Sequence, residues 1–200
     1  MGKVVREDIY FDSPGKGNTR DVIEAVKKRL KDVSIEYVIV ASTTGATAIE
    51  VSDALGDSVK IVSVSESALV REWGAQYPCM NPENKKELER RGVVVAEKVP
   101  YFFHSSPLDC GRWSAPSPDM IVRETLYAFG QGMKVAVEVV FIAVACGYIE
   151  PFQDVIALGG TSRGADTAIL LRATFPNLIF SEDASKRLMI KEIIAMPRAR

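Results

Sequence analysis

Two short apolar runs in this chain end in loops of small hydroxyl and glycine residues. Tyr37–Ala41 leads into Ser42-Thr43-Thr44-Gly45-Ala46-Thr47, and Val155–Leu158 leads into Gly159-Gly160-Thr161-Ser162-Arg163-Gly164. A buried strand that ends in such a loop leaves backbone N–H groups without carbonyl partners, and a helix starting there adds partial positive charge. That combination suits an anion, most often a phosphate. The pattern predicts an α/β fold with a site for a phosphorylated small molecule built from both loops.

The rest of the chain alternates in the same manner. Thr19–Leu30 carries Val22, Val26 and Leu30 at helical spacing, with Asn18 as the expected N-cap and Asp21 in the first turn. Ile35–Ala41 is β-branched, Ala48–Leu55 is helical and stops at Gly56, and Val59–Val64 reads as a buried parallel strand. Asn81-Pro82 before Glu83–Arg91, closed by Gly92, gives a cap, a proline at N1 and a stop. Its many charges, with Lys85–Glu89 and Glu87–Arg91 one turn apart, describe a solvated surface helix. Val93–Ala96 reads as a strand, Lys98–Pro116 as a long polar and aromatic loop, and Ser117-Pro118-Asp119 opens a helix to Phe129. After a break at Gly130 and Gly132 a second helix runs to Cys146. Asp154–Leu158 and Leu188–Met196 read as strands, and Thr167–Ala173 reads as helix or strand. Strands alternating with helices, with no linker, predict one α/β domain over residues 1–200 with a mostly parallel sheet. Ligands bind sheets of this kind at the carboxyl ends of the strands, where both loops fall.

Charge and cysteine exclude several classes. The net charge is −1 over 200 residues, which gives no footprint for nucleic acid or an anionic membrane, so phosphate affinity has to be local. Met1–Tyr10 has mixed charge and no apolar signal-sequence region, so a cytoplasmic protein is expected. Met133–Ile149 is the most apolar stretch, but Lys134 and Glu138 interrupt it, so it reads as a buried helix and not a membrane span. Such a helix needs covering on several sides, which is compatible with a homo-oligomer. Cys79, Cys110 and Cys146 form no pair at metal or disulfide spacing. Cys146 reads as a small core residue, and Cys110, beside Gly111 and Arg112, as an incidental thiol or a nucleophile with a lowered pKa.

Each loop has two readings. Ser42–Thr47 is not a Walker loop, and its hydroxyls serve equally a phosphate or a helix N-cap. In the second loop Arg163 has the fork geometry for a phosphate and Asp166 can orient it or accept from a ribityl or ribose hydroxyl; a surface Arg–Asp pair is the alternative. Lys16 is a third candidate anion contact. Neither loop carries the dinucleotide fingerprint. His104, the only histidine, builds no hydrolase triad. Tyr101, Phe102, Phe103 and Trp113 around it either cover a flat ring or anchor the loop to the core.

Val38–Ala48 resembles the strand–hydroxyl loop–helix of the pyruvate kinase C-terminal domain, and Asp154–Leu158, Gly159–Gly164 and Thr167–Arg172 resemble its closing strand, effector loop and antiparallel last strand. With Pro14-Gly15, Asn18-Thr19, Gly132–Glu138 and Glu192–Arg198, the whole chain looks like the small stand-alone proteins of the pyruvate kinase α/β-domain-like family. The resemblance implies a three-layer domain whose mostly parallel sheet has an antiparallel edge, with Thr167–Arg172 as an antiparallel strand. It implies flavin mononucleotide (FMN) as the phosphorylated ligand, and no pyruvate kinase activity, since the barrel that carries that chemistry has no counterpart here. Ser42, Thr43, Thr44, Gly45, Ala46 and Thr47 would then hold the phosphate, Gly160, Thr161, Arg163 and Gly164 would form the opposing wall, and the aromatic loop near His104 would shield the ring. A flavin-dependent oxidoreductase follows. The alternative is a non-catalytic regulatory module that binds a sugar phosphate or nucleotide effector.

Overall fold

The computed structural model describes residues 2–106 and 116–199. In chain order the elements are β1 (Ile9–Phe11), α1 (Thr19–Leu30), β2 (Tyr37–Ala41), α2 (Ala46–Leu55), β3 (Lys60–Val64), α3 (Pro82–Arg90), β4 (Val94–Ala96), α4 (Pro118–Tyr127), α5 (Gln131–Ala145), β5 (Asp154–Gly159), β6 (Thr167–Arg172) and β7 (Met189–Pro197). The strands form one seven-stranded sheet in the order β1-β7-β6-β5-β2-β3-β4. It is mostly parallel, and the antiparallel part lies toward the β1 side, where β6 opposes both β5 and β7 while β7 runs parallel to β1. Thr167–Arg172 is thus a strand, and its direction is the reverse of its neighbours'.

The strands alternate their side chains between two apolar layers, as the period of a strand requires. Ile39, Val62, Val64, Val155, Ala157, Ile169 and Leu171 face α5. Val38, Val40, Ile61, Ile156, Leu158, Ala168 and Leu170 face α1 and α2, with Leu88 of α3 in the same layer. Both faces are covered, which explains why β2 and β5 are almost purely apolar. Of the 15 residues of α5, 12 are buried. The sheet and α4 cover it within the chain, so its apolarity no longer calls for a second copy. Among the described residues no helix is long and apolar enough to cross a membrane.

Glycine sets how closely α5 lies on the sheet. A Cβ on Gly159 would overlap the Gly132 carbonyl oxygen and stand 2.7 Å from the Ala136 amide nitrogen, and a Cβ on Gly132 would overlap Asp166 and Thr167. The helix backbone therefore rests directly on the end of β5.

Several local expectations are corrected. Asn18 does not cap α1: it has helical torsions and makes no side-chain cap bond, because the chain enters α1 through a 3-10 turn at Lys16–Asn18. Its side-chain amide donates to the Ser13 carbonyl instead. Cys146 is exposed at the C-cap of α5, past the last buried residue of the helix, Val144. Asn81 does cap α3, its Oδ1 accepting from Glu83 and Asn84 N–H at 2.8 and 3.0 Å. Cys110 and Trp113 lie outside the described residues.

Candidate functional site

β2 and β5 are parallel neighbours with Val40 opposite Leu158, so the two glycine-hydroxyl loops leave the sheet side by side. At the usual strand spacing their roots are ~5 Å apart. Beyond the roots they diverge in what they do.

The first loop turns at Gly45, which takes φ +88°. A Cβ there would meet Met80 Sδ at 2.9 Å and Asn84 Cβ at 3.0 Å, so glycine is required both by the left-handed torsion and by the α3 segment packed over it. Ser42 Oγ accepts from the Ala48 amide at 3.1 Å, a bond that ties the loop to the first turn of α2. The Thr44 carbonyl accepts from Asn81 N–H and from the Asn84 side-chain amide. Thr47 is buried, while Thr43, Thr44 and Ala46 are exposed. Ala46 and Thr47 are the first residues of α2, so their N–H groups have no acceptor within the helix.

The second loop folds inward. Asp166 is fully buried, and one of its carboxylate oxygens accepts from the Gly15 and Thr161 amides, each at 3.0 Å, while the other accepts from Thr167 Oγ1 at 2.9 Å. Asp166 therefore neither orients Arg163 nor faces a ligand; its own carboxylate fills the place an outside anion would take at Thr161 N–H. Gly160 packs against the Gly164 carbonyl, and Gly164 lies against Thr19 and the Lys16 backbone. Arg163 and Lys16 are both exposed at this corner, which leaves it with two solvent-facing cations.

Two hollows open along this edge. Ser42 and Thr43 line one of ≈ 190 Å³, together with Ala41, Val64, Ser65, Glu66, Trp73, Tyr101, His104, Lys134, Val135, Glu138, Val139 and Ile142. Thr161 lines a second of ≈ 410 Å³, between Pro14, Glu124, Tyr127, the start of α5 at Gly130–Gly132, Pro197 and Ala199. The fold thus brings Ser42, Thr43 and His104 together, and sets Thr161 in a neighbouring cleft.

The smaller hollow carries most of the polar chemistry. Lys134 and Glu138, 4 % and 3 % exposed, are hydrogen-bonded one turn apart on α5. The other Glu138 oxygen accepts from the Phe102 and Phe103 amides at 3.0 and 2.9 Å. Across the hollow Glu66 accepts from Thr43 Oγ1 at 2.8 Å and from the Tyr101 hydroxyl. Burial, and then the Glu66 carboxylate beside it, push the Tyr101 phenol well above its ordinary value, so it remains an O–H donor. Trp73 stacks on Tyr101 with centroids 5.8 Å apart, and His104 meets both rings edge-on. His104 Nδ1 lies 3.2 Å from an Arg123 guanidinium nitrogen. Phe103 is an anchor, buried against Phe141 at 5.7 Å.

Glu66, Trp73, Lys134 and Glu138 were not anticipated as site residues. The available signal was an i, i+4 Lys–Glu pair inside an otherwise apolar helix, which has to be paired and enclosed when the helix is buried. Glu66 carried a weaker one, a carboxylate between two serines at the carboxyl end of β3. Among the described residues no group of His, Cys, Asp and Glu is arranged to hold a metal ion. No protein-family model matches the sequence.

Proposed function

We propose that the protein binds a phosphorylated small molecule at the first hydroxyl loop, as a stand-alone relative of the pyruvate kinase C-terminal domain. The observation that carries this reading is the Gly45 turn, which holds the start of α2 open to solvent with Thr43, Thr44 and the Ala46 amide around it. The phosphate sits on the solvent side of the loop, because Glu66 and Glu138 would repel it inside the hollow. Arg163 on the adjoining loop and Lys16 in the turn packed against it are exposed and contribute favourable charge. The remainder of the ligand is small: a volume of ≈ 190 Å³ falls below the ~300 Å³ at which drug-sized sites begin. A sugar phosphate acting as an effector of a non-catalytic module fits that volume best.

FMN is the second reading, favoured by the aromatic wall of Trp73, Tyr101 and His104 next to the same loop. Its phosphate end matches the loop. Its ring system is drug-sized and does not fit the ≈ 190 Å³ of the hollow as the side chains stand. A bound flavin would supply electron transfer.

Thermal-shift titration separates the readings. A ligand held by the native state adds ~2.7 kcal/mol at 100 times its Kd, which raises the midpoint by several degrees. Sugar bisphosphates should produce that shift, and Thr44→Glu, which places a carboxylate at the phosphate position, should abolish it. FMN stabilisation accompanied by a yellow preparation would select the flavin reading. A chain that responds to neither, and whose response to Thr44→Glu is nil, refutes the site.

A further inference from the structure

The two charges buried on α5 suit a chemistry that phosphate binding does not use. Glu138 is fixed: two main-chain amides hold one oxygen and the Lys134 ammonium holds the other. Lys134 Nζ stands 5.9 Å from the centre of the Tyr101 ring and 5.8 Å from that of Phe103, and both Lys134 and Glu138 line the hollow. A primary amine with a carboxylate in contact, aromatic walls and a small adjoining void is the set of groups that imine formation requires. The amine is the nucleophile, the carboxylate carries its proton, and the walls keep water scarce.

We propose that this hollow is a carbonyl site, in which Lys134 forms a protonated imine with a short hydroxy-aldehyde or hydroxy-ketone. The void of ≈ 190 Å³ admits about six heavy atoms at ~30 Å³ each, the size of glyceraldehyde or hydroxyacetone. Glu138 takes one proton from the ammonium, and the nitrogen lone pair adds to the carbonyl carbon while the C–O π pair moves to oxygen. A second proton passes from nitrogen to that oxygen. The proton held by Glu138 then follows it, the C–O bond breaks, and the oxygen leaves as water. The sum is ammonium plus carbonyl giving iminium plus water, with no oxidant or reductant. Nitrogen carries one positive charge before and after, so Glu138 keeps a cationic partner at both ends of the step and no uncompensated charge is left buried. The Thr43 and Tyr101 hydroxyls, both anchored on Glu66, stand on the opposite wall for the hydroxyls of the bound compound.

The test uses the full chain with hydroxyacetone and cyanoborohydride, which reduces a protonated imine to a stable secondary amine by hydride transfer. Peptide mass mapping should find the adduct on Lys134 forming roughly tenfold faster than on exposed lysines such as Lys60 and Lys86. Lys134→Arg keeps a cation for Glu138 and removes the nucleophile, so the fast adduct should vanish while the circular dichroism spectrum is retained. Labelling of Lys134 no faster than that of the exposed lysines overturns the proposal, and the wild-type map alone decides it should the variant not fold. Hydroxyacetone carries no phosphate, so this result stands apart from the outcome at Thr44.

Discussion

Glu138 is the residue whose loss the interior tolerates least. Its carboxylate accepts from two main-chain amides and from the Lys134 ammonium, all enclosed between α5 and the loop at Phe102–Phe103. Glu138→Leu strands all three donors, and removing one partner of a buried ion pair costs ~3–5 kcal/mol. Glu138→Gln keeps an oxygen for the two amides and should cost clearly less. Lys134→Met combined with Glu138→Leu should recover part of the loss but not all of it, since the amides stay unsatisfied. Urea midpoints read all three, and equal losses for Leu and Gln would show that the amide contacts contribute nothing. A second prediction concerns Gly45, where a side chain must adopt a torsion that costs ~1–3 kcal/mol and also press on Met80. Gly45→Ala should lower the denaturation midpoint and weaken the proposed phosphate binding together, because the same turn aims the start of α2. The glycine was legible in the sequence as part of the hydroxyl loop, but the α3 segment packed over it was not, since Met80 and Asn84 make their contacts from more than thirty positions away.

At the level of elements, the contact of α5 with the sheet depends on backbone meeting backbone. Gly159→Ala forces a methyl group into the Gly132 carbonyl, with no side-chain rotamer to relieve it. Overpacking costs ~1–3 kcal/mol where side chains can give way, and here the cost should lie at or above the top of that range. Alanine tolerated at Gly159 with an unchanged midpoint would mean that α5 is free to ride away from β5. The surface helix α3 offers a pH test. Hydrogen bonds from Arg90 and then Arg91 lower the Glu87 carboxyl from 4.5 to about 2. A folded-state value depressed in this way gives stability that is fully present above the unfolded value of about 4.5 and is lost as pH falls through about 2. Glu87→Gln should therefore have a slightly lower midpoint than wild type at neutral pH, with the difference closing between those two values. The cap and proline at Asn81-Pro82 made this helix readable in advance. The entry to α1 was not readable, because the Gly15 amide that starts the turn is held by the Asp166 carboxylate, 151 positions away.

The whole molecule shows where local pattern stops informing. Apolar runs long enough to have a period placed β2, β3 and β5, and their parallel pairing follows from burial on both faces. β1 is three residues at the sheet edge, too short to carry a period, so the sequence does not mark it as a strand. The reversal of β6 came from a resemblance to known domains, since the residues of Thr167–Arg172 fit helix and strand alike. The polar hollow is harder still: Glu66, Tyr101 and Lys134 lie about a third of the chain apart from first to last, and only the sheet order brings them together. That order makes a prediction about stability across the fold. β2 and β5 have a hydrogen-bonded strand on each side and an apolar layer on each face, whereas among the described residues β1 pairs only with β7 and β4 only with β3. In native-state hydrogen exchange the amides of β2 and β5 should exchange only through global unfolding, and those of β1 and β4 through local opening at lower free energy. α5 should follow β2 and β5, because its backbone rests on Gly159 and its ion pair holds the Phe102–Phe103 loop against it. Edge and centre exchanging alike would mean that the sheet opens as one unit. An α5 that exchanged early would separate Lys134 from Glu66 and remove the enclosure on which the carbonyl site depends.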